Sequence, residues 1–182
     1  VHDNKYTGLL CFEDIEHLNE DMTVAECASL LKQVFVNSSD FFLVPLRKMH
    51  QQQLTLLPVV EDEAQLKGVI TEEELLQAAS HYNAASEPGG VIILLVPPND
   101  LSISEIGRIV ESNNAKLIHL NTWADAATGM LMVSVKVNKN DIQDILASFE
   151  RYQYNVVQYF GENLSEEELK INYDHLMNYL NI

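Results

Sequence analysis

The stretch from Leu57 to Leu75 decides the fold of the first half of this 182-residue chain; it reads Leu-Pro-Val-Val-Glu-Asp-Glu-Ala-Gln-Leu-Lys-Gly-Val-Ile-Thr-Glu-Glu-Glu-Leu. Two apolar runs, 54–60 and 66–70, flank an acidic turn, which predicts two paired strands. The glutamates after Thr71 indicate the start of a helix, because acids in the first turn complement the helix dipole.

A further strand and helix are predicted upstream of this stretch. The segment 34–36 is a short β-branched and aromatic run, and 37–40 offers polar side chains that cap a helix. The apolar positions that follow are spaced as one face of a helix and are Phe42, Leu46 and Met49. Pro45 must lie in the first turn of that helix or kink it.

The pattern recurs in the chain at a spacing of sixty residues. Gly8–Ile15 aligns with Gly68–Leu75, and 1–3 aligns with 60–62. Each copy is interpreted as strand, acidic turn, strand and helix. The first copy lacks the front of the second, which amounts to roughly 26 residues if the copies were once equal.

The segment 23–33 between the copies is predicted to be a linking helix. Its apolar stripe consists of Val24, Cys27, Leu30 and Leu31.

The order of these motifs over residues 1–82 resembles that of the CBS domain. CBS domains occur as tandem pairs that pack into one module, and this resemblance implies an α+β fold built from β-α-β-β-α repeats. Many such pairs bind adenosine nucleotides in clefts between the repeats. The family signature is Gly, two β-branched residues, Ser or Thr, two variable residues and Asp; its hydroxyl faces phosphate and its Asp accepts from the ribose hydroxyls.

The resemblance places four candidate ligand residues in this chain. The second copy has Thr71 at the hydroxyl position and Glu74 in place of Asp, and the first copy has Asp14 but Cys11 at the hydroxyl position. Glu reaches one methylene further than Asp, and a thiol is a weak donor to phosphate. Helix capping is the alternative role for Thr71 and Asp14.

The charge excludes two classes of partner. The chain carries 27 acids and 11 bases, for a net charge of -16. Nucleic-acid binding requires clustered bases, and the chain has no such cluster. The anionic face of a membrane would repel it.

The charge is concentrated in the first half, since residues 1–87 hold 15 acids and 5 bases. Six acids, at 61–63 and 72–74, surround the Thr71 motif, and they would repel a triphosphate unless Mg²⁺ or a remote Arg intervened.

No catalytic or metal-binding motif is found in the sequence. Cys11 and Cys27 match no metal or redox spacing and are interpreted as free thiols in a reducing compartment. No two of the six histidines lie three or four residues apart. We therefore expect a non-enzyme without cofactor or metal, located in the cytoplasm; an enzyme that uses the acidic clefts with Mg²⁺ is kept as an alternative.

The second half begins after the helix-stopping segment 87–90. Strands are predicted at 91–96, 116–123, 130–137 and 154–160, and helices after Ser102 or Asp100 and at 138–151. Along the second strand, strict alternation would place Leu117, His119, Asn121 and Trp123 on one face. The order βαββαβ predicts the ferredoxin-like plan, an antiparallel sheet with two helices on one face.

This half, following a CBS-like half, resembles an ACT domain. ACT domains are regulatory modules that dimerise and often bind amino acids, and their ligand loop ends the first strand with Asp-x-Pro-Gly-x-Leu. The corresponding loop here consists of Asn99, Asp100, Leu101 and Ser102. It lacks the glycine that lets backbone N–H groups approach a carboxylate.

Three segments are thus expected: a CBS pair with a truncated first copy at 1–86 (second copy about 33–82), an ACT-like ferredoxin-fold domain at 87–162, and an amphipathic helix at 163–182. The helix has a capping box at Ser165 and Glu168 and an apolar stripe that we interpret as an assembly surface.

The arrangement resembles CBS–ACT proteins of the acetoin-utilisation type. This resemblance implies a homodimeric regulatory or sensor protein that binds an adenosine nucleotide or another small metabolite. The alternative is a scaffold that only dimerises.

Overall fold

The computed structural model of the chain describes Val1, Asp3, residues 5–19 and 21–162, and positions 170, 172–174, 176–177 and 180. Contacts divide the chain into two compact units, Val1–Tyr82 and Asn83–Ile182. Among the described residues, no helix combines the length and the apolar character that a membrane crossing requires.

The first unit is built on a three-stranded sheet. Its elements are α1 (Phe12–Ile15), β1 (Val36–Asn37), α2 (Leu43–Gln52), β2 (Leu56–Glu61), β3 (Gln65–Thr71) and α3 (Glu72–Tyr82). The strand order is β1-β2-β3, with β1 parallel to β2 and β2 antiparallel to β3. From β1 to α3 this is the predicted β-α-β-β-α order.

Most of the second copy folds as its sequence pattern predicts, but the helix cap expected at 37–40 is wrong, because the N-cap of α2 is Phe42 and no side chain caps it. Helix α2 begins at Leu43, so Pro45 lies in the first turn, where a missing N–H costs no helical hydrogen bond. The Asp40 carboxylate accepts from the backbone N–H of Asn37 at 2.9 Å and tightens the turn before the helix. The buried core of this unit consists of Val36, Met49, Leu54, Leu57 and Leu75.

The first copy departs from its prediction. Its expected strands are replaced by two isolated antiparallel bridges, Lys5 with Gln65 and Leu9 with Lys32. The predicted linking helix over 23–33 is wrong as well, since only a 3-10 turn forms at Ala28–Leu30. The physical reason is that the backbone of Lys32 is extended and exchanges two hydrogen bonds with Leu9, of 2.9 and 2.8 Å, which a helix would not allow.

The second unit is a four-stranded antiparallel sheet with two helices. Its elements are β4 (Val91–Val96), α4 (Ile103–Ser112), β5 (Leu117–Ala124), β6 (Leu131–Val137), α5 (Gln143–Arg151) and β7 (Asn155–Phe160). The strand order is β5-β6-β4-β7. This order and the βαββαβ succession define the ferredoxin-like plan.

The core of the second unit lies between the sheet and its helices. Fully buried side chains from both layers meet there, and the largest are Phe149, Ile92, Leu94, Ile106, Ile109, Ile142 and Ile145. Ser148 is the buried polar residue of this layer; its hydroxyl bonds to Asn113 and Arg151, so the helices are joined by a satisfied polar contact.

Two details of the second unit correct the sequence pattern. The register of β5 against β6 shifts between Leu117 and His119, so Leu117 and Leu120 both pack on the core and strict alternation along the strand is wrong. Helix α5 begins at Gln143, not at 138, because the carbonyls of Lys139 and Asn140 accept bonds from Gly90 and Glu162.

The predicted C-terminal helix falls largely outside the described residues. The described positions between 170 and 180 are helical, and Asn172 donates to the carbonyl of Tyr159 at 2.9 Å. Ser165 and Glu168, the predicted capping box, lie outside the described residues. The α+β fold class, with a β-α-β-β-α repeat followed by a ferredoxin-like unit, is confirmed.

Candidate ligand-binding sites

Thr71 and Glu74 form a reciprocal capping box at the start of α3. The backbone N–H and the hydroxyl of Thr71 donate to Glu74 Oε2 at 2.8 and 2.9 Å, and the Glu74 N–H donates back to Thr71 Oγ1 at 3.3 Å. The bond from the Thr71 backbone N–H is the main cause that lowers the pKa of the exposed Glu74 carboxyl, and the bond from the Thr71 hydroxyl is the next. Both residues therefore cap α3, and for Thr71 this is the alternative role predicted from the sequence.

The equivalent positions of the first copy are joined through a lysine. Cys11 is the residue before α1, and its side chain makes no capping hydrogen bond. Asp14 Oδ2 lies 2.7 Å from Lys32 Nζ. The hydrogen bond to Asp14 is the main cause that raises the pKa of Lys32, and the Cys11 side chain adds to it. The carboxylate expected to accept from a ribose is thus paired with a cation of its own chain.

A second Thr-x-x-Glu box is present in the linking segment and was missed from the sequence. The backbone N–H and hydroxyl of Thr23 donate to Glu26 Oε2 at 2.7 and 2.8 Å. The spacing is the same as that of Thr71 and Glu74, so the signal was available. The repetition of the box shows that this Thr–Glu pairing does not require a ligand cleft.

The predicted loop of the second unit forms a tight connection after β4. Pro98–Asp100 is a 3-10 turn, and Asn99 and Asp100 are exposed. Ser102 is the N-cap of α4, and its hydroxyl accepts from the Glu105 N–H at 3.3 Å. Leu101 packs against the core. Leu101 and Ser102 therefore anchor the loop, whereas Asn99 and Asp100 face solvent.

An open cavity of about 430 Å³ adjoins this loop. It lies where β4 ends, β7 begins and α4 starts. Its lining residues are Leu95, Val96, Pro97, Asp100, Glu105, Met130, Tyr152, Gln153, Tyr154 and Asn155. Of the four loop residues predicted from the sequence, Asp100 lines the cavity.

One wall of the cavity is fixed by a polar network that the sequence did not reveal. Glu105 Oε2 accepts from the Tyr154 hydroxyl at 3.0 Å, and Glu105 Oε1 accepts from Arg108 at 3.2 Å. Arg108 lies over the Tyr152 ring, 5.3 Å from its centroid. Burial, and then the bond to the Glu105 carboxylate, raise the pKa of Tyr154 to about 12. The capping position of Glu105, three residues after Ser102, was the only local signal of this network.

A second, mostly apolar groove of about 630 Å³ lies between α2 and α3 in the first unit. Leu46, Met49, Leu75 and Leu76 line it, and Leu76 is 69% exposed. Across the part of the chain that the structure describes, no group of three His, Cys, Asp or Glu side chains is placed to hold a metal ion.

A known family model matches most of the first unit of the chain. Residues 10–81 match the family model of the CBS domain. A crystal structure of a CBS domain pair/ACT domain protein from Thermotoga maritima is similar at 26% sequence identity, with a TM-score of 0.39. That match covers 44% of this chain and 65% of the other, which is less than two thirds of its length. Curated proteins gave no match.

Proposed function

We propose that this chain is a non-catalytic regulatory protein of the cytoplasm that binds a small ligand, comparable to CBS–ACT proteins of the acetoin-utilisation type. The observation that carries the proposal is the cavity beside Asp100. Asp100, from the loop that the ACT resemblance indicates for ligand binding, lines this cavity, and aliphatic side chains lie there beside polar groups that hydrogen bonds hold in place.

For the first unit we propose an adenosine nucleotide as the ligand. The match of residues 10–81 to the CBS family model supports this assignment. The hydroxyl of Thr71 stands at the position of the family motif that faces phosphate. Because the Thr71 hydroxyl already donates to Glu74, a nucleotide would have to compete with the capping box or contact other atoms of the same turn.

Ligand-linked repacking of a homodimer is the proposed mechanism. A ligand that binds one arrangement of the dimer more tightly than another shifts the population toward that arrangement by its difference in affinity. No covalent bond of the ligand is made or broken in this mechanism, in keeping with a protein that regulates a partner.

Thermal unfolding with a ligand panel tests the proposal. The panel contains AMP, ADP, ATP, S-adenosylmethionine and the amino acids, each with and without Mg²⁺. A ligand at 100 times its dissociation constant stabilises the folded state by about 2.7 kcal/mol, which is a clear shift in melting temperature. Turnover of a nucleotide that binds only with Mg²⁺ would contradict the non-catalytic assignment.

Substitutions in the two candidate pairs of ligand residues test where a nucleotide binds. We expect Thr71→Val to weaken nucleotide binding if the second copy holds it, and Asp14→Asn to do so if the first copy contributes. Asp21→Asn, which makes the same substitution as Asp14→Asn at an exposed position of the same unit, serves as the control. Unchanged affinity in both test variants would contradict the assignment of these residues.

A ligand-free dimerisation scaffold is the second candidate function. It is favoured by the internal pairing of Glu74 with Thr71 and of Asp14 with Lys32, and by the exposed apolar groove between α2 and α3. A dimer whose melting temperature does not respond to any member of the panel would support the scaffold over the sensor.

A further inference from the structure

The cavity of the second unit is lined by acids and by no base. Asp100 and Glu105 contribute carboxylates, and neither Lys nor Arg is among its lining residues. A carboxylate or phosphate placed there would meet charges of its own sign, whereas a cation would meet the opposite sign.

The two carboxylates differ in how they are neutralised. Glu105 is paired with Arg108, 3.2 Å away. Asp100 belongs to no ion pair among the described residues. The exposed Asp100 carboxylate therefore adds one negative charge to the cavity lining that no ion pair among the described residues balances.

The tyrosines add acceptor and ring surface. The Tyr154 hydroxyl donates a hydrogen bond to Glu105, so its oxygen has lone pairs left to accept a further hydrogen bond. The pKa of Tyr154 is raised to about 12, so this hydroxyl keeps its proton well above neutral pH too. One face of the Tyr152 ring is covered by Arg108, 5.3 Å from the ring centroid, so the ring contributes aromatic surface and its cation contact is already made within the chain.

The apolar side chains of the lining would contact an apolar part of the ligand. Leu95, Val96 and Met130 provide an apolar surface beside these acceptors. A ligand that suits both parts has a hydrogen-bond-donating positive end and an apolar body.

We propose that this cavity binds an organic cation, a primary ammonium group carried on an apolar or aromatic body, with Asp100 as its counter-ion. The inference rests on the proposed function, since it names the ligand class for the proposed site of the second unit. It differs from the amino-acid ligand that the ACT resemblance implies, because an amino acid would bring its own carboxylate next to Asp100 and Glu105.

A matched panel of four compounds on the full chain tests the proposal by calorimetric titration. The compounds share a phenyl body and differ in charge: 2-phenylethylamine, 2-phenylethanol, 3-phenylpropionate and phenylalanine. We expect the amine to bind about fivefold more tightly than the neutral alcohol, the upper end of the range for one exposed charge pair. The carboxylate is expected to bind more weakly than the alcohol.

Two variants with the same change in charge locate the effect. Asp100→Asn is expected to bring the affinity for the amine down to that for the alcohol and to leave the alcohol unchanged. Glu111→Gln, on α4 and outside the cavity lining, is the control and is expected to keep the preference for the amine.

The outcomes separate this inference from the proposed function. Tighter binding of 3-phenylpropionate or phenylalanine would overturn the inference and leave a ligand-binding regulatory unit in place. An unchanged amine preference in Asp100→Asn would also overturn it. Failure of all four compounds, together with failure of the nucleotide and amino-acid panel, would overturn both.

Discussion

The octapeptides Gly8–Ile15 and Gly68–Leu75 carry the same pattern, and both change from extended backbone to helix after their fourth residue. Helix α1 then ends after four residues, whereas α3 continues for eleven. Leu75 is 4% exposed and belongs to a core with residues of α2 and β2. Its counterpart Ile15 is only half-buried and lines an open cavity of about 370 Å³.

This difference shows that the local pattern decides where a helix begins and that packing decides how far it continues. A short helix is marginal in water without an apolar surface to cover. In the second copy α2 and β2 provide that surface, and α1 has no counterpart of them among the described residues.

The largest expected contrast comes from truncating the paired core positions. Leu75→Ala should destabilise the first unit by about 2–5 kcal/mol, since it leaves a cavity in a buried cluster. Ile15→Ala should cost clearly less because its surroundings are open. Hydrogen exchange of peptides from residues 34–82 measures both, and equal costs would contradict the difference in packing between the copies.

Glycine replacement is expected to have the next largest effect. Gly8 has φ +151°, and an added Cβ would lie 2.7 Å from the Leu31 Cβ, whereas nothing lies within 4 Å of a Cβ at Gly68. Gly8→Ala should cost about 1–3 kcal/mol, the range for a strained backbone conformation. Gly68→Ala, the matched control, should change stability by less than about 1 kcal/mol. Urea unfolding followed by far-UV circular dichroism compares them, and a tolerated Gly8→Ala would show that this backbone adapts freely.

Removal of the helix caps is expected to have a smaller effect. Thr71→Ala removes the hydroxyl of the capping box and should cost about 1 kcal/mol. Cys11→Ala should cost less, because the Cys11 side chain makes no capping hydrogen bond. The same urea unfolding experiment decides this, and a larger loss in Cys11→Ala would show that the two helix starts are stabilised differently from what their geometry indicates.

The smallest expected effect is a dependence on pH. Bonds from Thr71 lower the pKa of Glu74 in the folded state, so its contribution to stability is present above its ordinary pKa of 4.5 and is lost as the pH falls through the lowered value. The difference in stability between the wild type and Glu74→Gln should therefore be largest near pH 6 and should decrease as the pH falls below 4.5. Glu72→Gln removes the same charge from the same turn without touching these bonds and is the control. A constant gap across this range would contradict the assignment to Glu74.

Much of the fold was predictable because its signals are local. The continuous apolar run of β4, the alternation of β6, the apolar faces of α4 and α5 and the glutamates of α3 are all signals of residues that are close in the chain. The elements that were predicted wrongly share a different cause. The 23–33 segment has a helical stripe, but the backbone of Lys32 pairs with Leu9, and this long-range pairing prevails over local propensity.

The candidate sites were predictable only in part. The motif placed Thr71 and Glu74 together, and the structure joins them in a capping box. The cavity beside Asp100 includes Tyr152 and Tyr154, about fifty residues further along the chain, and no sequence spacing connects them to the loop.

The sequence alone determined the repeat, the two kinds of unit and the starts of α1, α3 and α4, because these depend on side chains that are close in the chain. Only the tertiary structure decided that α1 is short, that Asp14 is paired with Lys32, and that Glu105 is held between Tyr154 and Arg108. It also decided that Asp100 stands at a cavity without a base. The physical reason is that burial and electrostatic pairing depend on distance in space, which chain separation does not specify.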